Sequence, residues 1–343
     1  AEDGIRDLVR SRGLGDVYKR QGLGNVSPNP MVGCVIVKSG KIIGEGYHKR
    51  YGGKHAEINA INNVKDKSEL KGSSFYINLE PCSHHGKTPP CSDEIIKLKP
   101  KEVIISNQDQ NPIVNGRGIK KLRNNSISVI ENIKKKKGLD VNKRFFKNQL
   151  TGLPYIILKW AETEDGFLAK EDGSSKWISN ELSRMLVHKW RSEEPGILIG
   201  VNTANIDNPS LNVRSWKGNN PIRIVLDPNQ KLNKNTNLLN DKGALMVYNK
   251  KAEKKLNNKI FIKNKSFKLE DILKDILKKG IGSIIVEGGA KTLNSFIKEG
   301  MWDEARIFNS NKKFKRGKKA PKLSINKYQK IRDNKLYTIY NDA

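Results

Sequence analysis

The chain has 343 residues, room for roughly two domains of about 100–200 residues, each able to bury its own core. With 65 Lys and Arg against 36 Asp and Glu, the net charge is +29, which attracts phosphates and raises nucleic acid as a partner, although lysine is abundant throughout, as in "NKKFKRGKKAPKL" and "NKIFIKNKSFK". No run of about 18 apolar residues marks a membrane span and no leader pattern is visible, while three cysteines, an odd number, argue against a disulfide framework and for the cytoplasm.

Residues 1–21, "AEDGIRDLVRSRGLGDVYKRQ", show no clean helical stripe, and "DVYKRQ" also matches a translated transposon end of the kind used in sequencing libraries. This segment is expected to be non-native and is set aside. Next, "MVGCVIV", "KSGK" and "IIGEGYH" read as a β-hairpin around a glycine-containing turn. "HAEINAINNV" is a short helix with Ile58, Ile61 and Val64 at three-residue spacing. "SFYINL", "EVIIS" and "ISVIENI" have strand length and composition. Between the first two, Thr88 is placed to cap a helix whose first turn holds Pro89 and Pro90 and which ends near Pro100. Strands alternating with helices predict a three-layer α/β domain over residues 22–147.

A second α/β domain is expected over 148–343, from "YIILKW" through a helix at about 179–191 to "GILIG", "IRIVLD" and "ALMVY". "LEDILKDILKKG" puts Leu269, Ile272, Leu273, Ile276 and Leu277 on one helical face, closed by Gly280. "SIIVEGGAKTLNSFIKEG" reads as strand, glycine turn and helix, and "EARIF" and "YTIYN" can finish a sheet. The N–H groups and dipole at such a turn suit a phosphate; by themselves, two adjacent glycines equally mark a plain tight turn.

"EPCSHHGKTPPC", residues 80–91, holds two of the three cysteines, with eight residues between them. Upstream, "KHAEINA" sets His55 and Glu57 two apart at a helix start. Zinc prefers thiolate and imidazole; a catalytic site uses three protein ligands and leaves a position for water, whose pKa falls to about 7. His55, Cys82 and Cys91 make such a set, and proline-led turns near helix N-termini favour the thiolate form. Glu57 beside them can accept and return a proton, general acid–base work worth on the order of 10²–10⁴ in rate. The pattern "H-x-E…P-C-x-x-C" of zinc deaminases has this division of labour. Here "HAE" and "PC" match, but the cysteine spacing departs from it. Taken alone, these residues also admit a closed structural zinc site or cysteines that are merely buried. Cys34, inside "VGCVIV", reads as core.

Together, "SPNPMVGCVIV", "GEGYH", "HAE", "EPCSHHGKTPPC" and "QDQNPIVNGRG" resemble the deaminase half of the bifunctional riboflavin-biosynthesis deaminase/reductase family, where a long insert between the cysteines is characteristic. The resemblance implies a cytidine-deaminase-like α/β/α fold, His55, Cys82 and Cys91 as Zn²⁺ ligands, and Glu57 as proton shuttle. It also implies contacts to a pyrimidine or its ribose phosphate at Asn29, His48, Lys87, Asp109 and Asn111, and leaves His84 and His85 to loop structure. "LKWAETEDGFLA", "GSSKWIS", "GVNTANIDNPSLNVR" and "PIRIVLD" resemble the reductase half, whose fold is similar to dihydrofolate reductase. From Gly152 to about Asp303 this implies NADPH contacts at Ala161, Trp177, Thr203, Asp207, Gly289, Ala290, Lys291, Thr292, Leu293, Asn294 and Ser295. Substrate contacts are implied at Ser175, Arg191, Leu211, Arg214 and Glu287; Arg191 and Arg214 suit phosphate because guanidinium binds it as a fork. Glu162, Glu164 and Pro228 depart from residues common at those places. The implied activity is zinc-dependent deamination of 2,5-diamino-6-ribosylamino-4(3H)-pyrimidinone 5′-phosphate, then NADPH-dependent reduction of the ribosyl group to ribityl, in a homo-oligomer with no nucleic-acid or membrane partner. A nucleic-acid deaminase, the alternative that the charge suggests, leaves the second half unexplained and lacks an aromatic-interleaved basic patch.

Overall fold

The computed structural model describes residues 22–85, 89–171, 178–324 and 327–341, and the chain divides into two units between Thr151 and Gly152. The expected non-native segment 1–21 and Thr88 lie outside the described residues. In the first unit β1 (Gly33–Lys38) and β2 (Lys41–Tyr47) form the expected antiparallel hairpin. β3 (Ser74–Ile77), β4 (Glu102–Ile105) and β5 (Ser128–Ile130) extend it to a five-stranded sheet ordered β2-β1-β3-β4-β5, parallel from β3 to β5. Helices α1 (Ala56–Asn63), α2 (Cys91–Leu98) and α3 (Arg117–Asn124) supply Ala56, Ala60, Ile95, Ile119 and Leu122 to a core with Cys34, Ile36, Phe75, Ile77, Val103 and Ile105. The strand residues alternate because every second side chain faces one side of a sheet. Cys34 is core, as its sequence setting predicts. After α4 (Lys135–Val141), α5 (Lys143–Thr151) sets Phe145 and Phe146 against Leu79.

One helix start differs from expectation. The prolines do not form the first turn of α2; Pro90 is its N-cap, at φ −59 and ψ 134, and Cys91 is its first residue. A residue before proline is driven out of the helical region by the pyrrolidine ring, so Pro89 cannot readily join a turn with Pro90. The helix therefore opens on the cysteine itself.

The second unit runs β6 (Tyr155–Glu162), β7 (Phe167–Ala169), α6 (Glu181–Glu193), β8 (Gly196–Gly200), α7 (Val201–Asp207), β9 (Ile222–Leu226), α8 (Asn237–Asn240), β10 (Leu245–Asn249), β11 (Lys254–Leu256), β12 (Lys259–Lys263), α9 (Leu269–Lys278), β13 (Ser283–Gly288), α10 (Ala290–Lys298), β14 (Glu304–Asn309), β15 (Lys318–Lys319), β16 (Tyr328–Ile331) and β17 (Asn334–Tyr340). Among the described residues ten strands form one sheet, ordered β11-β12-β10-β9-β8-β13-β6-β14-β17-β16. It is parallel from β12 to β14 and antiparallel at both edges. α6 starts two residues later than the sequence suggests because the Asn180 side chain caps it, accepting from the Ser183 N–H at 2.8 Å. Leu269, Ile272, Leu273 and Ile276 of α9 join Ile156, Leu158 and Trp160 in one core, with Leu277 only half-buried. Ile197, Ile199 and Val225 alternate with these strands' other residues and build a second core with Ala204 and Leu211.

The first unit depends on a close approach of α1 to β2. A Cβ at Gly44 would stand 2.6 Å from the Ala60 carbonyl oxygen, and one at Gly46 2.6 Å from that of Ala56. Both collisions are with helix backbone, which cannot rotate away. Gly46→Ala is therefore expected to destabilise the first unit by about 1–3 kcal/mol, the range for overpacking. It should also lower zinc content, since α1 follows His55; thermal melting and metal analysis of the purified chain check both.

Candidate active sites

His55 stands at the N-cap of α1 and Glu57 in its first turn. Cys82 follows the end of β3, and Cys91 opens α2. These donors, 27 and 36 positions apart in sequence, converge: His55 Nδ1 lies 3.5 Å from Cys82 Sγ and 3.3 Å from Cys91 Sγ. All three ligand atoms fall within 4.8 Å of one another. Thiolate and imidazole at two corners of a zinc tetrahedron would stand about 3.6 Å apart, given the usual bond lengths, so the donor set fits Zn²⁺ in both chemistry and spacing. The Cys91 N–H, one of the unbonded donors of a helix start, points to Cys82 Sγ at 3.3 Å. The Cys91 thiol and His55 hold the Cys82 sulfur well below the ordinary thiol range, while the same sulfur contact and burial push Cys91 up. Glu57 is 3% exposed. Burial, then the Cys82 charge, pushes its carboxyl up to about 7.

Of the five residues expected at the pyrimidine, His48 and Asp109 lie within reach of this group, and Asn29 and Asn111 bond to those two. The His48 ring is 5.5 Å from that of His55, with Nε2 3.2 Å from Asn29 Nδ2 and Nδ1 3.1 Å from the Lys54 carbonyl oxygen. Burial lowers the pKa of His48, so the neutral ring donates from Nδ1 to Lys54 and accepts from Asn29 at Nε2. Asp109 Oδ1 accepts from the Asn111 N–H at 2.7 Å. Burial pushes Asp109 up to about 6, with smaller pushes from Glu80 and Cys82. Lys87 lies outside the described residues.

In the second unit a cleft of about 970 Å³ opens at the C-terminal ends of β6, β8, β9 and β13, the usual ligand edge of a parallel sheet. Of the expected cofactor residues, Ala161, Thr203, Asp207, Gly289, Ala290, Lys291, Thr292, Leu293 and Ser295 line it. Of the expected substrate residues, Arg191, Arg214 and Glu287 do. Leu211 does not; its side chain is 3% exposed and belongs to the second core. Asn294 also lies off the cleft, exposed on α10, and Ser175 and Trp177 lie outside the described residues. Gly289 is the N-cap of α10, with no side-chain cap and no acidic residue in the first turn. This uncapped helix start, with Lys231, Lys291, Lys318 and Lys319 on the cleft wall, suits the phosphates of an anionic dinucleotide.

Arg191 differs from the phosphate fork the sequence suggests. Its Nε and Nη2 donate to Glu287 at 2.9 and 2.7 Å, and its Nη1 donates to the Asn212 carbonyl oxygen at 3.2 Å. The fork is closed on a carboxylate. Burial favours the neutral acid at Glu287, but the charges of Arg191 and of Lys159, 3.6 Å away, override it and hold the carboxyl at about 2. Of the departures, Glu162 is buried, accepting from Trp160 Nε1 at 2.8 Å and Asn309 Nδ2 at 3.3 Å. Glu164 is exposed, 3.4 Å from Lys313 Nζ; Pro228 lines the cleft.

Residues 18–107 match the family model of the cytidine and deoxycytidylate deaminase zinc-binding region, and residues 154–330 match that of the RibD C-terminal domain. The riboflavin biosynthesis protein RibD of Aquifex aeolicus is 39% identical over 93% of this chain and 92% of its own length. That of Escherichia coli is 34% identical over 82% and 81%. The chain belongs to the RibD family. A crystal structure of a diaminohydroxyphosphoribosylaminopyrimidine deaminase/5-amino-6-(5-phosphoribosylamino)uracil reductase from Thermotoga maritima superposes with a TM-score of 0.90 at 33% identity, covering 99% of both chains. Like other RibD proteins, the chain is a bifunctional zinc- and NADPH-dependent deaminase and reductase of riboflavin biosynthesis, with α/β deaminase and reductase domains. Among the described residues no helix is long and apolar enough to cross a membrane.

Three residues escaped the sequence reading of this RibD chain. Glu80, 4% exposed, accepts from the backbone N–H groups of Asp109, Gly116, Gly118 and Ile119 at 2.9–3.2 Å. Lys159 and His188 line the cleft beside Arg191. Only the position of Glu80 within "EPC" hinted at a role; the other two sit in ordinary strand and helix sequence. Glu287→Gln removes the carboxylate from two largely buried cations, so a loss of about 3–5 kcal/mol at neutral pH is expected. Because the folded pKa is depressed, the pair's contribution is full above the ordinary value of 4.5 and lost as pH falls toward about 2. Urea unfolding should therefore find wild type and variant converging across that window.

Proposed function

We propose that the first unit hydrolyses the exocyclic amine of 2,5-diamino-6-ribosylamino-4(3H)-pyrimidinone 5′-phosphate. The second unit then reduces the ribosyl group of 5-amino-6-(5-phosphoribosylamino)uracil to ribityl. The observation that carries this reading is the convergence of His55, Cys82 and Cys91 beside a buried Glu57, in a chain matched over 99% of its length by a protein named for both activities. His55 Nδ1 and the two sulfurs would hold Zn²⁺, which supplies Lewis acidity that makes water nucleophilic near neutral pH. Glu57, kept basic by its burial, takes a proton from the attacking water and returns it to the departing amine, so that ammonia leaves. Asn29, His48, Asp109 and Asn111 present amide, imidazole and carboxyl groups to a polar ring. Lys87 is assigned to the phosphate as a point charge.

In the second unit, bound NADPH would supply the hydride received by the ribosyl C1′. Thr203, Asp207, Ser295 and the 289–293 turn would seat the cofactor, with Ala161 and Trp177 beside them. Arg214 is exposed at the cleft wall and is assigned to the substrate phosphate, with Ser175 beside the substrate. Lys159 and Glu287 place an ammonium and a carboxylate 3.6 Å apart on the cleft wall, where they can stabilise charge and deliver a proton beside the reacting carbon. Arg191 holds Glu287 in place. The free thiols of Cys34, Cys82 and Cys91 support work in the reducing cytoplasm; a homo-oligomer is expected from the family resemblance alone.

The test uses purified chain with the pyrimidine phosphate and NADPH. Ammonia is expected without NADPH, and NADPH oxidation only after deamination. Glu57→Gln should retain zinc while ammonia release falls about 10²–10⁴-fold; normal deamination would remove the proton-shuttle assignment. Cys91→Ala should lose zinc by metal analysis yet still bind NADPH. Loss of both together would contradict independent units.

A further inference from the structure

His188 and Arg191 lie three residues apart on one face of α6, and both line the reductase cleft. Arg191 bonds the Asn212 carbonyl oxygen, as above. His188, 4% exposed, accepts the backbone N–H of Arg214 at Nδ1, 3.3 Å away. The rest of this short stretch is also fixed. Leu211, at φ 52, buries its side chain in the core, and the Val213 N–H donates to Asn220 Oδ1 at 2.7 Å. Each residue from 211 to 214 is thus held, and the last hold is the histidine. Among the described residues the Arg214 guanidinium bonds the neighbouring Asn212 Oδ1, at 3.2 Å, and it is exposed, so it can turn toward an anion. A backbone N–H can only donate, so Nδ1 must be the acceptor. Burial and the charges of Arg191 and Arg214 hold the ring at about 4, which keeps it neutral.

We infer that His188 is a positioning residue for substrate binding: its Nδ1 fixes the Arg214 backbone so that the guanidinium is presented to the 5′-phosphate. This rests on the reading of Arg214 as the phosphate group. Fixing the backbone removes part of the ordering cost of a long, mobile side chain before the anion arrives.

The experiment measures steady-state reduction of 5-amino-6-(5-phosphoribosylamino)uracil, and of the same compound without its phosphate, by the full chain. His188→Leu keeps bulk without the acceptor. It should raise KM for the phosphorylated substrate about 3–10-fold, the worth of one hydrogen bond, with kcat and KM for NADPH unchanged. His188→Asn, whose amide oxygen can occupy the Nδ1 position, should restore the wild-type KM. The unphosphorylated compound should not distinguish the variants. Wild-type KM in the leucine variant, while Arg214→Gln raises it, overturns the role of His188 and leaves the Arg214 reading standing. No effect of Arg214→Gln removes that reading and the inference with it. Should the leucine variant not fold, His188→Gln, which reaches the Nε2 position and leaves Nδ1 empty, replaces it; equal KM in the glutamine and asparagine variants then overturns the proposal.

Discussion

A carboxylate taken out of water must find donors or cations, and three buried glutamates answer that demand in three different ways. Glu80 is surrounded by backbone N–H groups at and before the start of α3, where unbonded amides and the helix dipole favour an anion. Glu287 is met by the charges of Arg191 and Lys159. Glu57 lacks compensation on that scale, and its burial is expressed as a raised proton affinity. The first two arrangements build; the third leaves a group able to exchange a proton near neutral pH. A fully compensated Glu57 would be a weaker base.

Glu80 also has a wider structural reach. It lies two residues before Cys82, and its carboxylate organises the segment from Asp109 to Ile119. Asp109 in turn fixes Asn111 through its backbone N–H. One side chain shortly after β3 thus organises the segment that carries Asp109 and Asn111. The second unit uses strand ends in the same way. Lys159 and Ala161 end β6, Thr203 follows β8, Pro228 follows β9, and Glu287 to Gly289 close β13. Parallel strands deliver their ends to one edge, so residues far apart in sequence meet without long loops.

Much of this was legible from residue types. The hairpin, the central strands of both sheets and the face of α9 follow from apolar runs and periodicity, because burial imposes them. The strands β11, β12 and β16, at or next to the sheet edges, carry too much lysine and exposed surface to be read. His55, Cys82 and Cys91 were legible because few other uses combine imidazole and thiols with a nearby glutamate. The start of α2 was misread because a proline favours a first helical turn, whereas a pair of prolines also restrains the first of the two. The closed fork of Arg191 could not be read at all: its partner Glu287 lies 96 residues away, and nothing local marks an arginine as already paired. Leu211 looks like a cleft residue by position in a motif, yet its side chain turns into the core. Motif position fixes the backbone's path more firmly than the direction of each side chain.

The net charge of +29 suggested nucleic acid, but its placement favours small phosphates. The first site gathers acidic groups (the thiols of Cys82 and Cys91 and the carboxyls of Glu57, Glu80 and Asp109), and a divalent cation would take the two thiols as thiolates. The second concentrates cations, among them Lys159, Lys231, Lys291, Lys318 and Arg214. Arg191 is already neutralised by Glu287, so the cations exposed on that wall remain available to a phosphate. One chain thus carries two sites of opposite local charge, and each is matched to what it would hold. A metal takes its sulfur ligands as thiolates and releases their protons as it binds, and a phosphorylated sugar needs a cation that is held in place but not yet paired. Total charge is blind to this division, because it sums over groups that burial and pairing have already assigned.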